Sequence, residues 1–190
     1  AGKADWESIF KETLPYVDFF LPSVEEICYM LDKEKYDELQ MRADGRDVTE
    51  VLSIEKDVVP LADRILDMGC KLVIIKCGAA GFYYKTKDAE VFEALSAHSG
   101  LEFAGFGGQA GFEKSYVPDA VISGTGAGDT TIAAFLTAMV KGYHFERCLQ
   151  LAAATGASCV AAVDALSGLK PLAELEAKID AGWAKQDLLK

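Results

Sequence analysis

At 190 residues, 51% hydrophobic and 26% charged, the chain has the size and make-up of one globular domain, which excludes a disordered or fibrous protein. Its 30 acidic against 19 basic side chains leave a formal net charge of -11, which argues against a nucleic-acid backbone or an anionic membrane as the main partner. An anionic small ligand is not excluded, because a pocket of backbone N–H groups can oppose the global field locally.

In chain order, "YVDFFL" at 16–21 is an apolar run of strand length, stopped by Pro22. "SVEEICYML" then places Val24, Ile27, Tyr29, Met30 and Leu31 at helical spacing. Residues 32–57 are rich in Lys, Glu and Asp and read as solvated helix and loop. "PLADRILDMG" at 60–69 is an amphipathic helix that stops at Gly69. "KLVIIKC" at 71–77 is nearly continuous β-branched sequence, the mark of a strand covered on both faces. "GAAGFYYK" is a glycine turn into a second strand, with which 89–95 is expected to pair. Residues 96–115 read as a mobile surface loop, and "SYVPDAVI" as one more strand. Helices are expected over 127–141, 145–164 and 171–185, the second central because it is built of Ala, Gly, Ser and Cys, the third opened by Pro171. Alternating strands and helices define an α/β class with a mainly parallel sheet.

No apolar stretch reaches the ~20 residues of a membrane span; the longest is Leu151–Val163. Cys28, Cys70, Cys77, Cys148 and Cys159 are odd in number, scattered and without a C-x-x-C pair, so they read as buried free thiols of a reducing compartment. With only His98 and His144 beside them, a zinc site is not supported.

Three glycine motifs compete for a ligand. "GFGGQA" at 105–110 fits G-x-G-x-x-G/A, but that fingerprint needs a helix directly after it, and here a strand follows. "SGTGAGDTTIAAFL" at 123–136 lacks the Gly-Lys-Ser/Thr of a Walker A loop, having Gly128-Asp129-Thr130 instead. What remains is Gly126-Ala127-Gly128-Asp129 at a helix N-terminus. Its bland reading is a tight turn with Asp129 placed favourably on the helix dipole, an effect of about half a kcal/mol. Its functional reading is an anion hole of amides around Ala127 and Gly128, with Asp129 as a base beside it, which is sufficient machinery for phosphoryl transfer.

This last stretch resembles the second signature of the ribokinase-like (PfkB-type) carbohydrate kinases, D-T-x-G-A-G-D followed by an apolar helix. "VDFFLPSVEEI" resembles the family's strand ending in N-x-x-E, and "LVIIKCGAAGFYY" its T-x-G-x-x-G strand and turn. The three occur in family order over roughly residues 16–165. The resemblance implies a three-layer α/β/α fold and ATP-dependent, Mg²⁺-assisted phosphorylation of a sugar hydroxyl in the cytoplasm, with room for a homodimer and no nucleic-acid or membrane partner. Position by position, it implies Asp129 as catalytic base and Gly126, Ala127 and Gly128 as anion hole. Lys76, Gly78 and Gly81 fall where the family's strand and turn lie against ATP, and Glu26 where its glutamate organises magnesium and phosphate.

The departures are specific. Ser23 stands for the asparagine of N-x-x-E, which makes Ser23-Val24-Glu25-Glu26 equally a capping box. Ser123 stands for the signature's opening aspartate, near which the family often holds a monovalent cation; Lys76 replaces a threonine, Thr131 an aromatic residue and Ala134 a glycine. The match begins well into the family pattern, so residues 1–190 read as a single α/β domain, the nucleotide-binding C-terminal part of a kinase, without the N-terminal sugar-binding part and its lid. "AGKADWESIF" shows neither an initiator Met nor a leader pattern. Rival readings are a nucleoside or vitamin kinase of the same superfamily, or a sugar-responsive regulatory domain without turnover.

Overall fold

The computed structural model describes residues 4–188, so the first three residues of "AGKADWESIF" lie outside the described ones. The chain forms two compact units, one built from the residues up to Asp88 with Gly107–Phe112, the other from Ala89–Phe106 and Glu113–Asp187.

The first unit carries the sheet, in the order β1-β2-β3-β4, the last strand being Ala110–Lys114. β1 is only Phe19–Phe20 and runs parallel to β2 (Leu72–Lys76), Phe19 lying opposite Leu72. β3 (Gly81–Thr86) returns antiparallel, Leu72 opposite Thr86 and Lys76 opposite Phe82. The expected mainly parallel sheet is therefore mixed. The Gly78–Ala80 turn is far too short for the crossover that a parallel neighbour needs. Leu72, Val73, Ile74 and Ile75 are all buried, as their unbroken apolar run requires.

Among the described residues this unit also carries the α-helices α1 (Trp6–Thr13), α2 (Val24–Leu31), α3 (Lys33–Ala43) and α4 (Val59–Asp67). Ile27 and Cys28 from α2, Leu39 from α3, Ala62 and Ile65 from α4, and Val73 and Ile75 from β2 share one apolar core. The charged stretch 32–57 is less solvated than its composition implies. It buries Leu39, Ala43, Val48 and Leu52, and it ends at Asp57, a carboxylate whose side chain is 1% exposed. Asp57 is held by Lys35 at 2.8 Å, Arg42 at 3.2 Å and the N–H of Ser53 at 2.8 Å. Burial works to raise its pKa, but these partners outweigh it and hold the carboxyl below the usual range.

In the second unit, "AEVFEALSAHS" forms α5 (Ala89–Ser99) and not the expected partner strand. Ala, Glu and Leu favour helix, and Phe92 and Leu95, three apart, bury one face. Nor is 96–115 a surface loop throughout. Phe106 is 0% exposed and lies at the centre of an aromatic cluster, 5.8 Å from Phe92, 5.4 Å from Phe103 and 4.8 Å from Phe145 between ring centroids. "GFGGQA" leads into β4 (Ala110–Lys114), so no helix follows its glycines, as the sequence indicated. "SYVPDAVI" keeps only an isolated bridge between Tyr116 and Lys185, because Pro118 removes a ladder donor.

α6 (Ala127–Val140) and α7 (Phe145–Cys159) pack along one another. α7 is buried almost all round, from Leu151 to Ala157 without a break. It ends five residues before the expected 164, since Asp164 accepts from the N–H of Leu166 (2.8 Å) and of Ser167 (2.7 Å) and offers the chain a turn in place of more helix. α8 (Leu172–Asp180) is shorter than the expected 171–185, and Pro171 is its N-cap.

All five cysteines are free and buried. Burial pushes the thiols of Cys70, Cys77 and Cys148 up to about 12 and that of Cys28 to about 11, which keeps them protonated and unreactive. No helix among the described residues is long and apolar enough to cross a membrane.

Candidate active site

The expected site residues fall into two groups, one in each unit. In the first unit they lie where parallel β1 and β2 end. Beyond those ends Ser23 bridges to Lys76, whose N–H donates to Pro22 O at 2.9 Å. The carboxyl edge of parallel strands is where α/β sheets receive ligands.

Ser23 caps α2 and closes a capping box. Glu26 N–H donates to Ser23 Oγ at 3.3 Å, and Glu26 Oε2 accepts from Ser23 N–H at 3.1 Å and Ser23 Oγ at 2.7 Å. Those two Ser23 donors, and then the charge of Lys76, hold the exposed Glu26 carboxyl below the usual range. Glu26 and Lys76 are thus brought together, a carboxylate kept ionised beside a cation.

Gly78 and Gly81 shape the turn that follows. Gly78 has φ +57, and a Cβ on it would sit 2.7 Å from Thr49 Oγ1. Gly81 has φ 128, and its carbonyl accepts from Cys77 N–H at 2.8 Å. Both glycines are required by the backbone, whatever binds there.

In the second unit, Gly126, Ala127, Gly128 and Asp129 start α6. Gly126 is the N-cap with φ 79, and a Cβ there would lie 2.2 Å from Ala165 Cβ. No other residue type would let the start of α6 approach the turn at Ala165 so closely. The N–H of Ala127 is directed to Gly124 O at 3.2 Å, and that of Thr130 to Gly126 O at 2.9 Å. Among the described residues, no oxygen accepts from the N–H of Gly128 or Asp129. These two are the open donors at the positive end of α6, and the Asp129 side chain beside them is exposed.

Ser123 has a local task. Its Oγ accepts from Thr125 N–H at 3.1 Å and donates to Thr125 Oγ1 at 3.0 Å, forming the turn that leads into Gly126.

The supporting residues were not singled out in the sequence for this role. Thr131 Oγ1 donates to Ala127 O at 2.7 Å and is backed by Gly156 of α7, on which a Cβ would lie 2.4 Å from that hydroxyl. The signal was the small-residue run of α7, which implies a close helix neighbour without saying which.

Comparison with known proteins decides the family. Residues 3–170 match the pfkB family of carbohydrate kinases. The chain belongs to this family. An uncharacterized sugar kinase of Archaeoglobus fulgidus is 28% identical over 168 residues, covering 88% of this chain and 48% of the archaeal protein. Arabidopsis thaliana ribokinase, solved with ribose and ATP, is similar in fold with a TM-score of 0.61 at 22% identity, over 88% of this chain and 42% of its own. An E. coli protein described as ribokinase II, solved with ATP and Mg²⁺, gives 0.57 at 22% identity, over 92% of this chain and 42% of its own. This PfkB chain therefore spans less than half the length of each of these relatives.

Proposed function

We propose that the chain is the nucleotide-side, C-terminal portion of an ATP-dependent sugar kinase. The observation that carries this reading is the start of α6, where the N–H groups of Gly128 and Asp129, which find no acceptor among the described residues, adjoin an exposed carboxylate, in a chain of the PfkB family.

On this reading each of the named residues has a part in the reaction. The start of α6 would seat a phosphoryl oxygen on the open donors of Gly128 and Asp129, with the Ala127 N–H already turned to Gly124 O, since a helix N-terminus favours an anion. Asp129 would accept the proton of the sugar hydroxyl as that oxygen bonds to the γ-phosphorus and the bond to the ADP oxygen breaks. Glu26, kept ionised by Ser23, is the carboxylate suited to Mg²⁺, and Lys76 a cation suited to a phosphate. Mg²⁺, when bound, supplies counter-charge to the phosphates. Gly78 and Gly81 would offer the nucleotide a stretch of backbone bare of side chains.

ADP release by the intact protein across ketoses, aldoses, sugar acids and nucleosides tests this reading. A sugar should be turned over, and Asp129→Asn should lower kcat by roughly 10²–10⁴ while ATP affinity stays within about twofold. Turnover of the variant within about tenfold of the parent removes Asp129 from the role of base, and silence of the parent with every acceptor removes the kinase reading.

A further inference from the structure

The loop that starts α6 is anchored on the C-terminal end of α7. Val160 O accepts from Ile122 N–H at 2.8 Å and from Ser123 N–H at 3.3 Å. One residue earlier, the fully buried Cys159 places its Sγ 3.6 Å from Thr125 O and 3.6 Å from Ala165 O. These carbonyls belong to two different segments. Thr125 directly precedes Gly126, and Ala165 occupies the space that Gly126 leaves by lacking a Cβ. Gly168, at the far end of the same turn, backs onto the carbonyls of Ser158 and Cys159, where a Cβ would come within 2.6 and 2.7 Å.

The thiol therefore lies between the two walls that meet at Gly126. Little apolar burial secures either wall. Thr125 is exposed, as are Val163 (76%) and Leu166 (72%). The side chains of Ser123 and Asp164 tie each segment to itself, so the backbone bonds to Val160 O at one end of the turn leave Thr125 and Ala165 to the thiol.

We propose that Cys159 is a positioning residue for phosphoryl transfer. Its thiol clasps residues 123–126 to the 160–168 turn and so holds the first turn of α6, with the open N–H groups of Gly128 and Asp129, in place for the transferred phosphate. The proposal rests on the kinase reading of this site. An S–H has one proton and serves one carbonyl at a time, and alternation between Thr125 O and Ala165 O couples the two segments. A thiol is a weak donor, but Cys159 itself is fully buried, where a hydrogen bond is electrostatically stronger than in water.

The test uses Cys159→Ala and Cys159→Ser in the intact protein, with steady-state kinetics on the acceptor that the parent uses, melting temperature, and amide exchange over 121–130 and 160–168. Loss of the donor in Cys159→Ala should speed exchange in both segments and lower kcat about tenfold with the acceptor KM unchanged. Cys159→Ser, which keeps a donor, should return kcat to within about twofold of the parent at a similar melting temperature. Parent-like exchange in Cys159→Ala overturns the proposal, as does parent-like kcat, or an equal loss in both variants, which would mark side-chain size as the cause. If the parent itself releases no ADP, the kinase reading has failed. The clasp then stands or falls on exchange alone, faster exchange in both segments supporting it and unchanged exchange overturning it.

Discussion

Gly156→Ala reverses an ordinary expectation. In a helix interior, alanine is favoured over glycine by about 1 kcal/mol, so the change should stabilise α7. Here the new Cβ would lie 2.4 Å from Thr131 Oγ1 on α6, well inside contact distance. Either Thr131 rotates and loses its 2.7 Å bond to Ala127 O, worth about 1 kcal/mol, or the helices separate, at about 1–3 kcal/mol for overpacking. Set against the propensity gain, the change should lie between neutral and a loss of about 2 kcal/mol, a fall in Tm of up to roughly 8 °C for a chain of this size and not the rise that propensity alone would give. Thr131→Ala removes the obstructing oxygen, and the next neighbour, Ala127 O, stands at an ordinary 3.5 Å. In that background Gly156→Ala should become neutral or stabilising, giving a coupling energy of about 2 kcal/mol in a double-mutant cycle by urea unfolding. Because Asp129 lies on the same first turn of α6, Gly156→Ala should also lower kcat more than Thr131→Ala does. A stabilised single variant, or a cost that persists without the threonine hydroxyl, would refute the close-approach reasoning.

Three other outcomes are expected. Gly126→Ala must adopt φ 79 and displace Ala165, so nucleotide affinity by calorimetry should fall at least about tenfold; unchanged affinity counts against the anion seat. Ser23→Ala should cost about 1 kcal/mol through loss of the α2 cap and let the Glu26 carboxyl titrate closer to its ordinary range, which a ¹³C carboxyl titration reads directly. Asp57→Asn leaves Lys35 and Arg42 without their shared carboxylate and should cost about 2–4 kcal/mol. Since the folded pKa of Asp57 is lowered, its contribution is complete above the ordinary carboxylate range and is lost as pH falls through the folded value. The gap between parent and variant in urea midpoint should therefore narrow only in acid, and a gap independent of pH would contradict the ion-pair account.

The legible parts of this protein were those decided locally. Unbroken apolar sequence marked β2, helical spacing marked α2, α4 and α6, and Gly126–Asp129 announced a helix start with bare backbone. Ser23 and Glu26 formed the capping box that their spacing allowed. Other features depended on partners remote in sequence. Residues 89–95 became helix because Phe92 had Phe103 and Phe106 to pack against, and 103–106 became core for the same reason. The charged stretch 32–57 ran inward because Lys35 and Arg42 neutralise Asp57. At the candidate active site, sequence alone named Asp129 and its glycines, since helix-end chemistry lies within a few consecutive residues. The tertiary structure assigned the supporting roles, Gly126 making room for Ala165, Gly156 for Thr131, and Cys159 reaching Thr125, because close packing between segments is set by where their backbones meet.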